Sequence, residues 1–388
     1  MLLAVNPNNR LKTPLAAIEP PVWLSLLVSH YIEDGKDVNV LDAEALDLSV
    51  QETANTILAS GATEVILVVM GNNPSVSSTP KMVVTCELLT LLKGEIDISL
   101  TGLHPMAVGG ESVLYWRPTK CLPIHWELLP MHLYRAHNWH CLDGSSRTPY
   151  ASTFTSLGCP YNCYYCNIHT LYQSRTMLYR SIPGFLQEIE ELVSRYKIRN
   201  IKIWDELFTL KEDRVLSICT GLKAYNLNIW AYARLDTITA RMLEAMKVSG
   251  INWLAYGFES TADRKFISRT EDVIKMTKDA GINIIANFMF GIPGSTATDD
   301  KKSLEFAMAH LFEFVNFYDA KPYPGSQWYQ DTNPQWSYER FNQYGSKSSF
   351  RENAFVTYFT NPDYLNMIRA KFGEQAVGQI NDMLIRRI

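Results

Sequence analysis

The chain has 388 residues, 47% of them hydrophobic and 20% charged, with a net charge of −4, which describes a globular protein of two or three domains rather than a disordered or fibrous one. No basic block occurs, so nothing supports a nucleic-acid surface or a free polynucleotide substrate, and the longest apolar run, at 64–70, is strand-length and far too short to cross a bilayer. The opening run Met1-Leu2-Leu3-Ala4-Val5-Asn6 lacks the charged and apolar regions of a signal peptide, and the 7 cysteines of a non-secreted chain fit a reducing, cytoplasmic setting.

Residues 1–110 alternate strand and helix patterns. Strands are expected at 2–6, 38–42, 64–70 and 97–101, and helices at 21–33, 50–59 and 80–92. Pro21 opens the first helix and Asp34-Gly35 ends it. The unbroken apolar run at 64–70 suits a central parallel strand buried on both faces. This alternation predicts a doubly wound, Rossmann-like parallel α/β sheet. Such sheets bind ligands beyond the carboxyl ends of their strands, which here are the loops 6–14, 71–78 and 101–105. Gly71, Asn72 and Asn73, with Thr101 and Gly102, offer small size and amide hydrogen bonds there. His104 is a further candidate contact, although a lone histidine in a turn is often a structural hydrogen-bonding residue.

Residues 111–149 lack clear periodicity and carry Trp116, Trp126 and Trp139 with His125, His132, His137 and His140. The irregular histidine spacing matches no metal site. The segment reads as a connection packed between domains, its histidines used in packing or substrate contact.

From residue 150 the alternation resumes. Strands are expected at 152–157, 200–204, 228–233, 252–258, 283–290 and 313–318. The intervening helices are expected at 183–196, 212–225, 239–249, 271–280 and 300–311. Regular strand–helix units of this kind predict a six-stranded partial (β/α) barrel over 150–330, with functional groups on the loops after the strands. Residues 331–388 form a small helical tail, with helices at 362–372 and 375–386.

The loop after the first barrel strand carries Cys159, Cys163 and Cys166, a C-x3-C-x2-C run. Three thiolates can hold three irons of a [4Fe-4S] cluster and leave the fourth iron free for a small molecule, whereas a full cysteine set would serve electron transfer. Zinc is the alternative for this triplet and needs a fourth ligand, which His169 offers on spacing alone. A disulfide framework is unnecessary in a chain long enough to bury a core.

This motif, with aromatic Tyr165 before its last cysteine, resembles that of the radical S-adenosylmethionine (SAM) enzymes. Trp204-Asp205-Glu206-Leu207-Phe208 is similar to the end of that family's second strand, Tyr232-Ala233-Arg234-Leu235-Asp236 to the third and Gly257-Phe258-Glu259-Ser260 to the fourth. Phe290-Gly291-Ile292-Pro293-Gly294 resembles the fifth and Tyr323-Pro324-Gly325-Ser326 the sixth. Ahead of the barrel, Glu19-Pro20-Pro21, Gly35, Asp42 and Gly102-Leu103-His104-Pro105 resemble the cobalamin-binding domain of the cobalamin-dependent members. The D-x-H-x-x-G motif, whose histidine ligates cobalt in many cobalamin proteins, is absent, as it is from many members of this subfamily.

The resemblance implies that the open iron binds the amino and carboxylate groups of SAM, and that reduction then releases a 5′-deoxyadenosyl radical. Arg234 would pair with the SAM carboxylate. Glu259, Asp205 and Glu206 would accept from its amino group or ribose hydroxyls, Gly291 and Gly294 would let the backbone approach adenine with Ile292 packing on it, and Tyr165 is a further cofactor contact. The bland alternatives are charge pairs within the barrel mouth and, for the glycines, a plain turn. The expected function is a cobalamin-dependent radical SAM C-methyltransferase. It would take the methyl of methylcobalamin, act on a small molecule and draw electrons from a flavodoxin- or ferredoxin-type reductant. A non-methylating cyclisation or rearrangement is the rival reaction, and an iron–sulfur or cobalamin sensor without turnover is the non-enzymatic alternative.

Overall fold

The N-terminal strands β1 (Leu2–Asn6), β2 (Val38–Asp42), β3 (Glu64–Val68) and β4 (Ile98–Thr101) form a parallel sheet in the order β2-β1-β3-β4. The computed structural model describes residues 1–10, 13–70, 81–261, 264–332 and 349–385. Side chains alternate across a strand with a period of two, and here both faces are covered. Leu2, Ala4, Ile66 and Val68 share a core with α1 (Val22–Glu33). Leu3, Val5, Val65 and Leu67 pack with α2 (Val50–Ala59) and α3 (Met82–Leu91). The face toward α1 continues into the core of the second unit, so the two units are packed together rather than tethered.

A short helix that the sequence pattern does not suggest, α4 (Leu103–Val108), follows β4 directly. Gly102 makes the turn possible. Its φ is 103°, and a Cβ there would lie 2.6 Å from the Val69 carbonyl oxygen.

The second sheet contains β5 (Tyr150–Thr153), with the hairpin strands β6 (Ser156–Leu157) and β7 (Leu178–Tyr179) lying beyond it. It continues through β8 (Asn200–Ile203), β9 (Asn228–Ala233), β10 (Ile251–Glu259), β11 (Asn283–Phe290) and β12 (Phe314–Asp319). All neighbours are parallel and follow chain order, β12-β11-β10-β9-β8-β5, as successive same-handed crossovers require. The helices between them are α5 (His169–Tyr172), α6 (Ile182–Ser194), α7 (Glu212–Leu222), α8 (Ala240–Val248), α9 (Arg264–Asp279) and α10 (Ala297–His310). One expectation is corrected. The single strand foreseen at 152–157 is two, because Asp205 takes the Thr155 N–H at 2.6 Å, and the chain after it turns to pair with β7.

Strands β5 and β12 are the sheet's edges, and the loops beyond them meet. Asn167 Nδ2 donates to the Pro324 carbonyl at 3.1 Å, and the Trp328 N–H, from α11 (Gln327–Thr332), donates to the Tyr164 carbonyl at 3.0 Å. The opposite end of the barrel is filled by the connecting segment. Trp139 packs edge-on against Trp230 and Trp253 at 5.3 and 5.5 Å between ring centroids. Asn200 and Asn228, the first residues of β8 and β9, donate to the carbonyls of Ser146 and His140. Among the described residues, the connecting segment thus leaves the carboxyl ends of the strands open to a ligand.

The C-terminal helices Ser349–Phe359, Pro362–Phe372 and Glu374–Ile385 lean on the β12 flank. Buried Tyr358 and Tyr364 donate to the carbonyls of Phe312 and Glu313 at 2.6 and 3.2 Å. Among the described residues no helix is long and apolar enough to cross a membrane.

Candidate active site

The cysteine loop begins where β5 ends, and its first turn is built on Asp205. That carboxylate is buried and accepts from the Thr155 N–H and hydroxyl, both at 2.6 Å, and from the Ser156 hydroxyl at 2.5 Å. Arg214 adds bonds to the carbonyls of Thr155 and Arg180 at 2.8 and 2.7 Å. Asp205 thus faces the loop's backbone, with its acceptor capacity spent there.

Cys159, Cys163 and Cys166 are partly buried and line one cavity with an empty volume of about 900 Å³. Burial pushes the Cys159 thiol up to about 11 and the Cys166 thiol up to about 12, with neighbouring acidic and thiol groups adding to the effect. Thiols held in this way need a cation to ionise, which is what iron supplies. Among the described residues no group of three or more His, Cys, Asp or Glu converges on one metal ion. A lone zinc ion would need a fourth ligand beside the three thiolates, whereas the three thiolates of a cubane each hold a different iron. His169 is also engaged elsewhere, with Nε2 2.7 Å from the Tyr161 carbonyl and Nδ1 3.1 Å from the Ser174 carbonyl. The donor set therefore fits a cluster rather than a lone ion.

Three charged residues surround the cysteines. Arg234, just past β9, is paired with Asp236 at 2.8 and 2.9 Å, lies 4.0 Å above the Tyr161 ring and reaches Cys163 Sγ at 3.9 Å. Glu259 ends β10 in the left-handed region, with φ 56°, after a break in register between Gly257 and Glu259. A Cβ on Gly257 would lie 2.5 Å from Glu259 Oε1, so the glycine leaves room for the carboxylate to fold back over the strand. Burial pushes Glu259 up to about 7, although the Tyr165 hydroxyl that donates to it and nearby Arg234 favour its charged form. Burial likewise pushes Glu206 up to about 8 against the attraction of Lys202. A site of partly buried, hard-to-ionise carboxylates beside an arginine favours a ligand carrying both a cationic and an anionic group.

Next to this cavity, Ile292 and Gly294 line a second hollow shared with Cys163, Tyr165, Arg234 and Glu259. Gly291 does not line it; its N–H is taken by Asp300 at 3.2 Å. The structure thus brings Tyr165, Glu206, Arg234, Glu259, Ile292 and Gly294 to the cysteines and turns Asp205 and Gly291 to local bonds. Pattern reading missed Tyr232, Asn287, Met289 and Tyr318, which line the cluster cavity from β9, β11 and β12. Their inward position at strand ends was the available signal.

A further cavity, with an empty volume of about 800 Å³, lies between the two units. It is lined by Asn6, Glu44, Met70 and Lys81 from the N-terminal unit, by Glu19 before α1, and by Trp204 from the end of β8. Buried Lys81 donates to Asn6 Oδ1 and Glu44 Oε2, both at 2.5 Å, and Asn6 Nδ2 donates to Asp42 Oδ1 at 2.7 Å. Thr101, Gly102 and His104 are buried and do not line it. Thr101 Oγ1 lies 3.7 Å from the Met106 sulfur, and burial lowers His104 to about 3, so it is neutral. Gly71, Asn72 and Asn73 lie outside the described residues. Asn6, Lys81 and Glu44 put amide, ammonium and carboxylate groups on its wall, the donors and acceptors that the amide fringe of a corrin could meet.

Residues 153–307 match the radical SAM superfamily, whose members use a [4Fe-4S] cluster and SAM. An uncharacterized methyltransferase of Pyrococcus horikoshii is 26% identical over 386 residues, 84% of this chain and 82% of that protein. The radical S-adenosylmethionine methyltransferase TsrM from Kitasatospora setae, solved with cobalamin and a [4Fe-4S] cluster bound, superposes with a TM-score of 0.66 at 15% identity, over 84% of this chain and 76% of that one. The cobalamin-dependent radical enzyme OxsB, solved with aqua-cobalamin and SAM, superposes with a TM-score of 0.59 at 14% identity, over 97% of this chain and 61% of that one. The cysteine loop and the parallel strand order are what residues 153–307 of this chain share with the radical SAM superfamily that they match.

Proposed function

We propose that the protein is a cobalamin-dependent radical SAM methyltransferase that methylates a carbon of a small molecule. The observation that carries this reading is the adjacency of its two cavities at one strand end. Trp204 lines the interdomain cavity, and Glu206, two residues on, lines the cavity of the cysteines. A methyl carrier and a radical source placed in these would be neighbours at that strand end.

Cys159, Cys163 and Cys166 would hold the cluster, and Asn6, Glu44 and Lys81 would bind the corrin's polar rim. When bound, these groups with SAM supply reductive cleavage of the sulfonium to a carbon radical and a transferable methyl group. Arg234, with its Asp236 partner fixing the guanidinium plane, would take the SAM carboxylate. Glu206 and Glu259 would take its ammonium, and the Tyr165 hydroxyl holds Glu259 in place for this. Ile292 and Gly294 would pack along adenine. The loop-to-loop contacts of Asn167 with Pro324 and of Trp328 with Tyr164 narrow the open flank and help to keep water from the reacting carbon. A flavodoxin- or ferredoxin-type protein would deliver the electrons.

Anaerobic reconstitution with iron, sulfide and hydroxocobalamin, followed by SAM and dithionite, tests the reading. S-adenosylhomocysteine together with 5′-deoxyadenosine supports it. 5′-Deoxyadenosine alone means a non-methylating radical enzyme, and neither product means a binding protein.

A further inference from the structure

Lys202 lies in the barrel, on β8, and is almost fully buried. No sequence motif draws attention to it. Its ammonium donates to Glu19 Oε2 at 2.8 Å, and Glu19, 183 positions earlier in the chain, lines the interdomain cavity. The same carboxylate accepts from the Tyr150 hydroxyl at 3.0 Å through its other oxygen. On its other side the Lys202 ammonium stands 4.7 Å from the Trp230 ring centre and 5.9 Å from that of Tyr232. Tyr232 lines the cluster cavity, as does Glu206, which follows the end of β8 four residues after Lys202. Lys202 is therefore the charged element of the wall between the two cavities. It touches a lining residue of each and belongs to the lining of neither.

A buried ammonium must keep a counter-charge. Glu19 supplies it by direct contact, and Lys202 in turn favours the charged form of Glu206 across the shared wall. A cationic ligand group that pairs with Glu206 takes over that role and leaves Lys202 to pair with Glu19 alone. Glu19 is followed by Pro20 and Pro21, which lead into α1, so fixing Glu19 fixes the stretch that walls the interdomain cavity. A helix entry ordered in this way presents that cavity to its ligand at lower entropic cost.

We propose that Lys202 is a positioning residue that couples the two cavities, transmitting occupation of the cluster cavity to the Glu19 segment of the interdomain cavity through the Glu19–Lys202 ion pair. This inference rests on the reading of the cluster cavity as a SAM site. The coupling is reciprocal, since each ligand must favour the other by the same factor.

Hydrogen–deuterium exchange of the cluster-loaded, corrin-free protein, with and without SAM, tests it at residues 13–24. SAM is expected to slow exchange there by about fivefold, the lower range of measured couplings, and the slowing is expected to vanish in the K202M/E19Q double variant. That variant removes both charges and leaves no orphan behind. E19Q alone, nearly isosteric, is the second variant and should also lose the effect, whereas K202R should keep part of it. Equal slowing in wild type and double variant, or none in wild type, overturns the proposal. A wild-type cluster whose electron paramagnetic resonance spectrum ignores SAM overturns the SAM-site reading itself, and the coupling with it.

Discussion

The carboxylate of Asp205 receives both the backbone N–H and the side-chain hydroxyl of Thr155, each at 2.6 Å. This pairing ends β5 and starts the cysteine loop, so the geometry of the three thiolates depends on a residue that touches none of them. Asp205→Asn keeps the volume but points an amide N–H at groups that are already donors. Burying mismatched polar atoms there costs about 2–4 kcal/mol. The variant should melt earlier, and iron per chain after reconstitution should fall below about half of wild type, as a loop out of place would require. Iron assay and thermal unfolding measure the two effects.

Glu259 and Glu206 set the pH response of the cluster-free protein. Both are pushed up from 4.5 by burial, to about 7 and about 8. For an acid whose folded pKa is raised, the folded state holds the proton more tightly than the unfolded one. Stability is then unaffected below about pH 4.5, is lost as pH rises through pH 7 to 8, and stays reduced above that. Ligand-free protein should therefore be more stable at pH 5.5 than at pH 8.5. Glu259→Gln should flatten the difference and stabilise the protein at pH 8.5, on the order of 2 kcal/mol. Urea unfolding at both pH values checks this, and a steeper profile in the variant would contradict it.

Gly257 exerts its effect through its neighbour. Gly257→Ala would set a Cβ 2.5 Å from Glu259 Oε1, and a flexible carboxylate can swing away. We expect little change in melting temperature but SAM binding weakened by about tenfold, the loss of one charge-assisted hydrogen bond. Calorimetry with the cluster-loaded variant reads this directly.

Much of this architecture was legible in the chain. The apolar run at 64–70 announced a strand buried on both faces, and Val65 to Val68 are indeed buried on alternating faces. The cysteine spacing announced an open-iron cluster loop, and the thiols share one cavity. What stayed hidden depends on partners far apart in sequence. Asp205 looked like a ligand contact because strand-end carboxylates in barrels often are, yet Thr155, 50 positions earlier, claims it. Lys202 sits in a strand with no motif, and its partner Glu19 is 183 positions away. The residues 111–149 showed no period because they form no repeating element; Trp139 plugs the barrel instead.

The interdomain cradle makes its own prediction. Lys81 joins Asn6 and Glu44 at the ends of the N-terminal strands. Lys81→Ala should lower the hydroxocobalamin retained after desalting by about tenfold in affinity, the usual effect of removing one charged hydrogen-bonding partner. Visible absorption of the desalted protein measures it. Full retention by the variant would place the corrin elsewhere.

The central claim is that a methyl carrier and a SAM-cleaving cluster occupy adjacent cavities of this chain. The most direct test follows the methyl group of isotopically labelled SAM in the reduced, cobalamin-loaded protein, with mass spectrometry of both the corrin and the small molecules. The account predicts labelled methyl on the protein-bound cobalamin, S-adenosylhomocysteine in equal amount, and 5′-deoxyadenosine that disappears in Cys163→Ala. 5′-Deoxyadenosine formed while all of the label stays in SAM and methionine would contradict it.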